Sequence, residues 1–333
     1  MKRSGVLRLS KAPTTPISWL WGGRVPAGRL TLLDALPGTG KTTLVASLLG
    51  AITRDAGQWP DGTPVGAPVT AILIAHEDDP GTIRARIEAA GGDASRVHLW
   101  LKNAAGHLPR IPQDLEELRD LLKTTGAKLL VLDPIAGAID TAGGDSKTRD
   151  RLAELLSICA DYGVAVLGLR HPTKQGASSR GPALYRAGGG SVAIPALSRA
   201  AYLLAGDPAD PKRLVLAPTK ASLSRLPGSL ALRIVEGANG APTMEWLGAS
   251  PLDADQLLNA AAEGGALTDA IKWLTGLLRG GEAMAASTIR ELGQEDGFAW
   301  RTIERAKKAA GIVSRQEGRG WTWMLPKVKS TKS

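Results

Sequence analysis

The stretch that decides the fold is "LTLLDALPGTGKTTL", residues 30–44, in which an apolar run leads into a glycine-rich turn. Its core "PGTGKT" carries the glycines, lysine and hydroxyl of the phosphate-binding pattern G-x-x-x-x-G-K-[ST], but Ala35 stands where that pattern begins with glycine. A strand, a glycine turn and an apolar helix are the context in which the pattern binds phosphate. The stretch therefore predicts a nucleotide site; an accidental glycine turn is the alternative.

The predicted loop supplies ligands for a nucleoside triphosphate and its metal ion. Backbone N–H groups at the start of the helix would surround the phosphates, Lys41 would reach the β and γ oxygens, and the Thr42 hydroxyl would ligate Mg²⁺. Alanine at position 35 costs about 1–2 kcal/mol if φ must be positive there, and nothing if it need not be. The predicted nucleotide-binding residues of the loop are Pro37, Gly38, Thr39, Gly40, Lys41, Thr42 and Thr43.

Short apolar runs alternate with helical patterns through the first 250 residues. Near-continuous apolar strands separated by helices imply an α/β fold with a parallel sheet covered on both faces. Later runs, the last two without a helix between them, predict an antiparallel extension at the sheet edge. The predicted buried strands are 30–36, 69–76, 96–101, 128–133 and 164–171, the later strands are 200–206, 213–218 and 229–235, and the helices are 41–56, 80–91, 113–125 and 147–161.

Polar side chains with the chemistry of nucleotide hydrolysis follow the predicted strands. Asp133 ends "KLLVLD" and would hold Mg²⁺ through water, or it merely caps a turn. Glu77 is our choice for the carboxylate that activates the attacking water. Its neighbours Asp78 and Asp79 are instead candidate N-caps for a helix beginning at Pro80. His171 would sense the γ-phosphate by a hydrogen bond, with a purely structural role as the alternative.

The charge balance favours an anionic partner. The formal net charge is +9 and the pI about 9.8. Residues 170–225 hold nine Lys/Arg against Asp207 and Asp210, which is typical of a surface for a phosphate backbone. A genome that uses arginine freely is the alternative explanation.

The compartment is predicted from cysteine usage and hydropathy. The single cysteine, Cys159, excludes a disulfide framework and suits a reducing cytoplasm. No run of 18 apolar residues predicts a membrane span, and the basic start lacks the apolar segment of a secretory signal.

The composition changes near residue 250 and predicts a second domain. Residues 251–265 are small and polar enough for a linker. Three helical patterns and a hairpin turning at 317–320 follow, which is the plan of a winged helix-turn-helix over 266–326. Residues 327–333 form a basic tail that we expect to be disordered.

The last predicted helix carries a basic stripe. Arg301, Arg305 and Lys308 fall at i, i+4 and i+7 and share one face, as in a recognition helix for duplex DNA. Residues 251–333 hold twelve basic and ten acidic residues, however, so docking of a replication protein is the alternative.

Together these motifs resemble the RepA-type hexameric replicative helicases, RecA-like ATPases of plasmids and phages that are related more distantly to DnaB. The likeness runs through about residues 17–250, in segments such as "ILIAHEDDPGTIRARIEAAGGD", "LLVLDPIAGA", "VLGLRHPTKQG", "SVAIPALSRAAYLL" and "LAPTKASLSR". It implies a RecA-like P-loop core with sheet order 5-1-4-3-2, and ATP with Mg²⁺ bound between adjacent subunits of a homo-oligomeric ring, a hexamer. Ala35, and Ser191 after three glycines, depart from the family pattern.

The resemblance also implies roles for residues that spacing alone does not assign. Arg199 matches the arginine finger that a neighbouring subunit inserts, Lys220 resembles a second basic residue reaching across, and Arg225 is a weaker rival for the finger. Such a finger stabilises transition-state charge only in the assembled ring. The glycine-rich segment 174–190 corresponds to a loop facing the ring channel, where Lys174, Arg180 and Arg186 would follow single-stranded DNA; a surface loop without function is the alternative.

The sequence thus predicts an ATP hydrolase, a ring-forming DNA helicase or translocase that serves replication of a phage, plasmid or other mobile element. An ATPase switch that binds DNA as a regulator or loader without unwinding is the first alternative. A filament-forming recombination mediator is the second.

Overall fold

The computed structural model describes residues 8–12, 14, 16–35, 38–75, 78–170, 182–183, 191–318 and 320–326. The chain divides into two compact units, Met1–Leu258 and Asn259–Ser333. Each unit is described by itself.

The first unit is built on a nine-stranded sheet with helices on both faces. Its strands are β3 (Leu30–Ala35), β4 (Ala71–Ala75), β5 (Val97–Leu99), β6 (Leu129–Asp133), β7 (Ala165–Arg170), β8 (Ala200–Asp207), β9 (Asp210–Ala221), β10 (Ser229–Glu236) and β11 (Pro242–Ser250). The order is β11-β10-β9-β8-β3-β7-β6-β4-β5, parallel from β8 to β5 and antiparallel from β8 to β11. The predicted α/β class and the antiparallel extension are confirmed. A separate pair, β1 (Trp19–Trp21) and β2 (Val25–Pro26), precedes the sheet.

The sheet order also agrees with the resemblance once the edge strand β5 is left out. Counted along the chain, β3, β4, β6, β7 and β8 then lie in the order 5-1-4-3-2. The prediction of a buried strand over 96–101 is wrong, because β5 is three residues long, lies at the sheet edge and is only partly buried. Strand β11 was not predicted at all, because it is a half-exposed edge strand interrupted by Gly248 at a φ of 87°.

Helices begin and end close to the predicted positions. They are α1 (Lys41–Thr53), α2 (Pro80–Ala89), α3 (Leu115–Thr125), the short α4 (Ile135–Ala138), α5 (Gly144–Asp161) and the short α6 (Ala193–Leu197). Asp79 caps α2 by accepting a hydrogen bond of 3.0 Å from the Thr82 N–H, and Pro80 occupies the first turn, so the predicted N-cap is confirmed.

Alternate residues of the central strands pack into two separate cores, because successive side chains of a strand point to opposite faces. Leu33 and Ala35 of β3 join α1 and α2 in one core. Leu30 and Leu32 join α3 and α5 in the other. Both faces are therefore covered, and the carboxyl ends of the parallel strands form one edge at which loops meet.

The second unit contains the remaining helices and a small antiparallel sheet. Its elements are α7 (Ala254–Leu277, which begins in the first unit), β12 (Met284–Ala285), α8 (Ala286–Glu295), α9 (Trp300–Ala309), β13 (Val313–Glu317) and β14 (Gly320–Met324), with sheet order β12-β14-β13. The three predicted helices and the hairpin are present, and β12 is an addition. Most of the predicted linker 251–265 is helical, because Asp253 and Gln256 cap α7 reciprocally at 2.8 and 2.9 Å.

Among the described helices, none combines the length and the apolar character that crossing a bilayer requires.

Candidate nucleotide-binding site

The described residues of the turn between β3 and α1, 38–40, have backbone conformations that a phosphate-binding loop requires of its glycines. Gly38 and Gly40 both have a φ of 76°, in the left-handed region that favours glycine. Ala35 is the last residue of β3 and is fully buried in extended backbone, so the missing glycine of the pattern causes no strain.

Gly40 is held close to the far strands of the sheet. A Cβ atom at this position would lie 2.7 Å from Ile234 Cδ1 and 3.4 Å from Met244 Cε. The side chains of β10 and β11 therefore confine the loop where α1 begins. Gly40 is the N-cap of α1 and supplies no side-chain cap, so the first N–H groups of the helix are left to a backbone partner or a ligand.

The predicted metal ligands lie at the same edge of the sheet as the loop. Asp133 is the last residue of β6 and only 4 % exposed. Thr42 is in the first turn of α1 and partly exposed, as is Lys41. Because β3 and β6 are parallel strands separated only by β7, their carboxyl ends share this edge. A buried carboxylate and a hydroxyl are oxygen ligands that Mg²⁺ accepts.

Several predicted site residues lie outside the described residues. They are the nucleotide-site candidates Pro37, Glu77 and His171 and the DNA-binding candidates Lys174, Arg180 and Arg186. The described positions nearest to Glu77 are Ala75, which is paired with Asp133, and Asp78, which forms an ion pair with Arg86. The roles of the residues outside the described part stay predictions.

A buried ion pair at this edge was not predicted. Arg170, the last residue of β7, donates two hydrogen bonds of 2.7 and 2.8 Å to the carboxylate of Asp34 on β3. Arg170 was counted in the basic surface of residues 170–225, and this placement is wrong because its side chain is only 3 % exposed. The available signal was an acid and a base inside two apolar strands, at "LLDAL" and "LGLRH".

The three candidate finger residues lie away from the loop of the same chain, towards the opposite end of the sheet. Ala200 pairs with Thr31, so Arg199 is level with Leu30 at the start of β3, five strand residues or about 17 Å from Ala35. Lys220 pairs with Ala201 and is thereby level with Leu32, three strand residues or about 10 Å from Ala35. The exposed Arg225 follows β9 at the same end. The structure therefore does not bring these residues to the nucleotide site of their own chain.

Arg199 and Lys220 form a small cationic cluster. Lys220 Nζ donates a hydrogen bond of 2.9 Å to the Pro195 carbonyl. Burial lowers the pKa of Lys220, and the nearby charge of Arg199 lowers it further. Arg199 is exposed, and among the described residues no carboxylate forms an ion pair with it.

The basic stripe on α9 has the predicted exposure. Arg301, Arg305 and Lys308 are exposed, whereas Ile303 and Ala306 are buried in the core of the second unit. Arg305 lies 3.6 Å from Glu263 of α7 in an exposed ion pair, a contact that was not predicted.

Fold and site together define a P-loop nucleotide-binding protein with a RecA-like sheet order. The glycine turn, the start of α1 and Asp133 fit a nucleoside triphosphate with Mg²⁺: Lys41 and the helix N–H groups would hold the phosphates, and Thr42 and Asp133 the metal ion.

The comparison with protein families agrees with this class. The family model described as "AAA domain" matches residues 2–177, slightly more than half of the chain, and the chain belongs to that family of ATPases.

The curated proteins that resemble this chain share only about a quarter of the aligned residues with it. The chain is 26% identical to "DNA repair protein RadA" of Mycolicibacterium smegmatis over 203 residues, which cover 53% of this chain and 40% of that protein. It is 25% identical to "DNA repair protein RadA" of Streptococcus pneumoniae over 156 residues, 46% of this chain and 33% of that protein. The chain thus spans less than half the length of either relative. Among solved structures, a KaiC-like protein of Pyrococcus horikoshii is 18% identical, with a TM-score of 0.46 and coverage of 69% of this chain and 100% of that one.

Proposed function

We propose that this ATPase is a ring-forming DNA translocase or helicase, in which each nucleotide site is completed by the neighbouring subunit. The observation that carries the proposal is the position of Arg199 and Lys220. Arg199 lies at the end of the sheet remote from the loop of its own chain, and Lys220 is a second cation beside it. They are well placed for an anion that a second copy of the chain presents. The name of the RadA relatives, DNA repair proteins, supports a link to DNA.

In this proposal the residues of one subunit bind the triphosphate and those of the next complete the site. Lys41 and the N–H groups of α1 orient the phosphates, and Glu77 positions and deprotonates the attacking water. Bound Mg²⁺ offsets phosphate charge. Arg199 of the neighbouring copy stabilises charge that develops on the γ-phosphate, an interaction that exists only in the assembled ring.

Hydrolysis would be coupled to movement on single-stranded DNA through the segment that follows β7. His171 directly follows Arg170 in the sequence, and only two residues separate it from the basic segment 174–190. Loss of a contact between His171 and the γ-phosphate would therefore be transmitted to the residues that we propose hold the DNA phosphates. A hexamer that serves a phage, plasmid or other mobile element is the assembly we propose.

Mixing two inactive variants tests the shared site. Lys41→Ala and Arg199→Ala should each hydrolyse almost no ATP alone. When they are mixed in equal amounts and reassembled at random, about a quarter of the interfaces combine an intact loop with an intact finger, and turnover should partly return. The same experiment with Arg225→Ala in place of Arg199→Ala tests the rival finger, an exposed arginine at the same end of the sheet; if Arg199 is the finger, Arg225→Ala should keep its ATP turnover. No recovery, in mixtures that light scattering shows to be assembled, would refute a shared site completed by Arg199.

The second candidate function is an ATPase switch that binds DNA without unwinding it. A second unit that binds DNA, as the predicted winged helix would, suits a regulator or loader and supports this alternative. Displacement of a strand from a forked duplex supports the helicase. Nucleotide-dependent DNA affinity without displacement supports the switch, and open filaments in electron micrographs would support a recombination mediator.

A further inference from the structure

We propose that the second unit binds duplex DNA through α9 and the hairpin β13–β14, with Trp321 as the aromatic contact. We call this the α9–hairpin surface, and it comprises Arg301, Arg305, Lys308 and Trp321. The proposal does not depend on ATP hydrolysis or on ring formation by the first unit.

The charge of this part of the chain is strongly segregated. Residues 251–299 hold three basic and eight acidic side chains, whereas residues 300–333 hold nine basic and two acidic ones. The net charge of residues 251–333 is therefore small only because the acidic excess of residues 251–299 cancels most of the basic excess of residues 300–333. The basic half begins at α9 and includes the hairpin. Its described residues still carry a basic surplus, with Arg301, Arg305, Lys307, Lys308 and Arg315 against Glu304 and Glu317, so this half has the charge complementary to a phosphate backbone.

Helices α8 and α9 form a close pair joined by a short glycine turn. The turn spans residues 296–299 and contains Gly297 at a φ of 81°. Gly293 of α8 lies so near α9 that an added Cβ would be 2.2 Å from Ile303 Cδ1. Close packing of two helices about a turn of this length fits a helix-turn-helix, whose second helix enters the major groove.

The exposed face of α9 presents its cations in a narrow stripe. At about 100° per residue, Arg301, Arg305 and Lys308 fall within about 60° of one another around the helix axis. The opposite face carries Ile303 and Ala306, which are buried. The ion pair of Arg305 with Glu263 is exposed, at 49% and 70% of the two side chains, so it is weak and can be exchanged for a phosphate contact.

Trp321 lies beside this stripe and is not part of the core. It is 54% exposed, and it shares a hairpin face with Trp323, two residues away. That face of the hairpin packs against α9. The Trp323 ring stacks on Trp300 of α9 at a centroid distance of 5.3 Å, and Lys307 Nζ lies 4.4 Å from the centre of the Trp323 ring. Trp321 therefore continues the α9-facing side of the hairpin towards the tip, beyond the residues that α9 covers.

Duplex DNA is the partner that accounts for all of these features. An acidic protein would satisfy the cations, but it would not require a helix-turn-helix with its stripe on the second helix. An exposed tryptophan on the adjoining hairpin can pack on sugars and bases in the neighbouring groove, where its flat apolar ring and indole N–H both find partners.

The test is anisotropy of a labelled duplex of about 20 base pairs titrated with the full chain at several salt concentrations. The double variant Arg301→Ala/Lys308→Ala should weaken binding and lower the slope of log K against log salt by about 2, because two phosphate contacts are lost. Trp321→Ala should weaken binding about tenfold with an unchanged slope, and Trp321→Phe should restore most of it. Lys272→Ala, which removes an exposed cation of α7, should change little.

The controls separate this surface from the proposed motor. Lys41→Ala should abolish ATP turnover and leave duplex affinity unchanged, whereas the α9–hairpin variants should retain ATP turnover stimulated by single-stranded DNA. The proposal is overturned if the wild-type chain does not bind duplex, or if Trp321→Ala and the double variant bind it as Lys272→Ala does. The second result is the one expected of a surface that docks a protein.

Discussion

Arg170 clamps the carboxylate of Asp34 across the adjacent strands β7 and β3, with both oxygens accepting hydrogen bonds at 2.7 and 2.8 Å. Both residues are register partners, and their side chains are only 3% and 0% exposed. Asp34 stands one residue before the end of the strand that leads into the phosphate-binding loop. Arg170 ends the strand that leads to His171. The pair therefore joins the two strand ends on which the proposed chemistry depends. Burial raises the pKa of Asp34, and the guanidinium of Arg170 opposes that rise.

Removing one member of this pair should be far more damaging than removing both. Arg170→Met leaves a buried carboxylate without its counter-charge and should lower the free energy of unfolding by about 3–5 kcal/mol. The double variant Asp34→Leu/Arg170→Met buries only apolar groups and should be near neutral. Denaturant unfolding of the full chain measures both effects.

An exposed pair provides the control for that experiment. Arg233 and Glu245 lie 2.6 Å apart with side chains 50% and 42% exposed. Arg233→Met should change the free energy of unfolding by less than about 1 kcal/mol. A double variant as unstable as Arg170→Met alone would mean that the pair provides packing that apolar side chains cannot replace.

Restoring the missing glycine of the phosphate-binding pattern should increase neither the stability of the fold nor the affinity for ATP. Ala35 is fully buried in a central strand, so Ala35→Gly should destabilise the fold by about 0.5–1 kcal/mol and leave ATP affinity unchanged. Gly40→Ala is the contrast, because a positive φ and the approach of Ile234 both oppose a side chain there. Titration with a fluorescent ATP analogue distinguishes the two variants. Tighter binding by Ala35→Gly would show that the loop does need a glycine before it.

The fold of the first unit could be predicted because its signal is hydrophobic. A parallel strand covered on both faces must be apolar at nearly every position, so runs such as "LLVLD" at 129–133 mark its place. Strand β11 is half-exposed and gives no such run. The helical start of α7 was not predicted for a related reason: the small and polar residues of 251–265 give no apolar pattern, but the Asp253–Gln256 cap and the apolar contacts of Leu257 and Leu258 hold the helix.

The chemistry of the site was only partly predictable. The loop residues follow from a local pattern, because phosphate contacts come from consecutive backbone groups. The Asp34–Arg170 pair joins residues 136 positions apart. The pair exists only because β3 and β7 become neighbours in the sheet, and strands so far apart in the chain give no local sign of their pairing. Strand order was inferred only through a family resemblance, so the register that aligns these two side chains was beyond the sequence.

The buried cysteine gives the protein a pH dependence whose sign can be worked out. Burial raises the pKa of the Cys159 thiol from 9.0 to about 12. Above pH 9 the thiol of the unfolded chain ionises while that of the folded chain stays protonated, so its contribution to stability is complete below that pH and is lost as the pH rises. The loss should approach about 1.4 kcal/mol per pH unit between the two values.

Unfolding curves across this alkaline range measure the effect, and Cys159→Ala should reduce the slope. A thiol reagent should also leave native Cys159 unmodified at pH 8 and react after unfolding. Rapid modification of the native protein would contradict the burial of this side chain.

One added methyl group at Gly293 should destabilise the second unit and leave the first unit unchanged. The new Cβ would lie 2.2 Å from Ile303 Cδ1 and 3.2 Å from Trp273 Cη2, so α8 must move away from α9. We expect Gly293→Ala to destabilise this unit by about 1–3 kcal/mol through overpacking. Hydrogen exchange of the full chain should show faster exchange within residues 259–326 and unchanged exchange in the sheet of the first unit. Gly280→Ala, at a site with no atom within 4 Å of the new Cβ, should leave exchange as it is. Because α9 would be displaced, Gly293→Ala should also weaken duplex binding. Unaltered hydrogen exchange in α8 and α9 would contradict the close approach of Gly293 to Ile303.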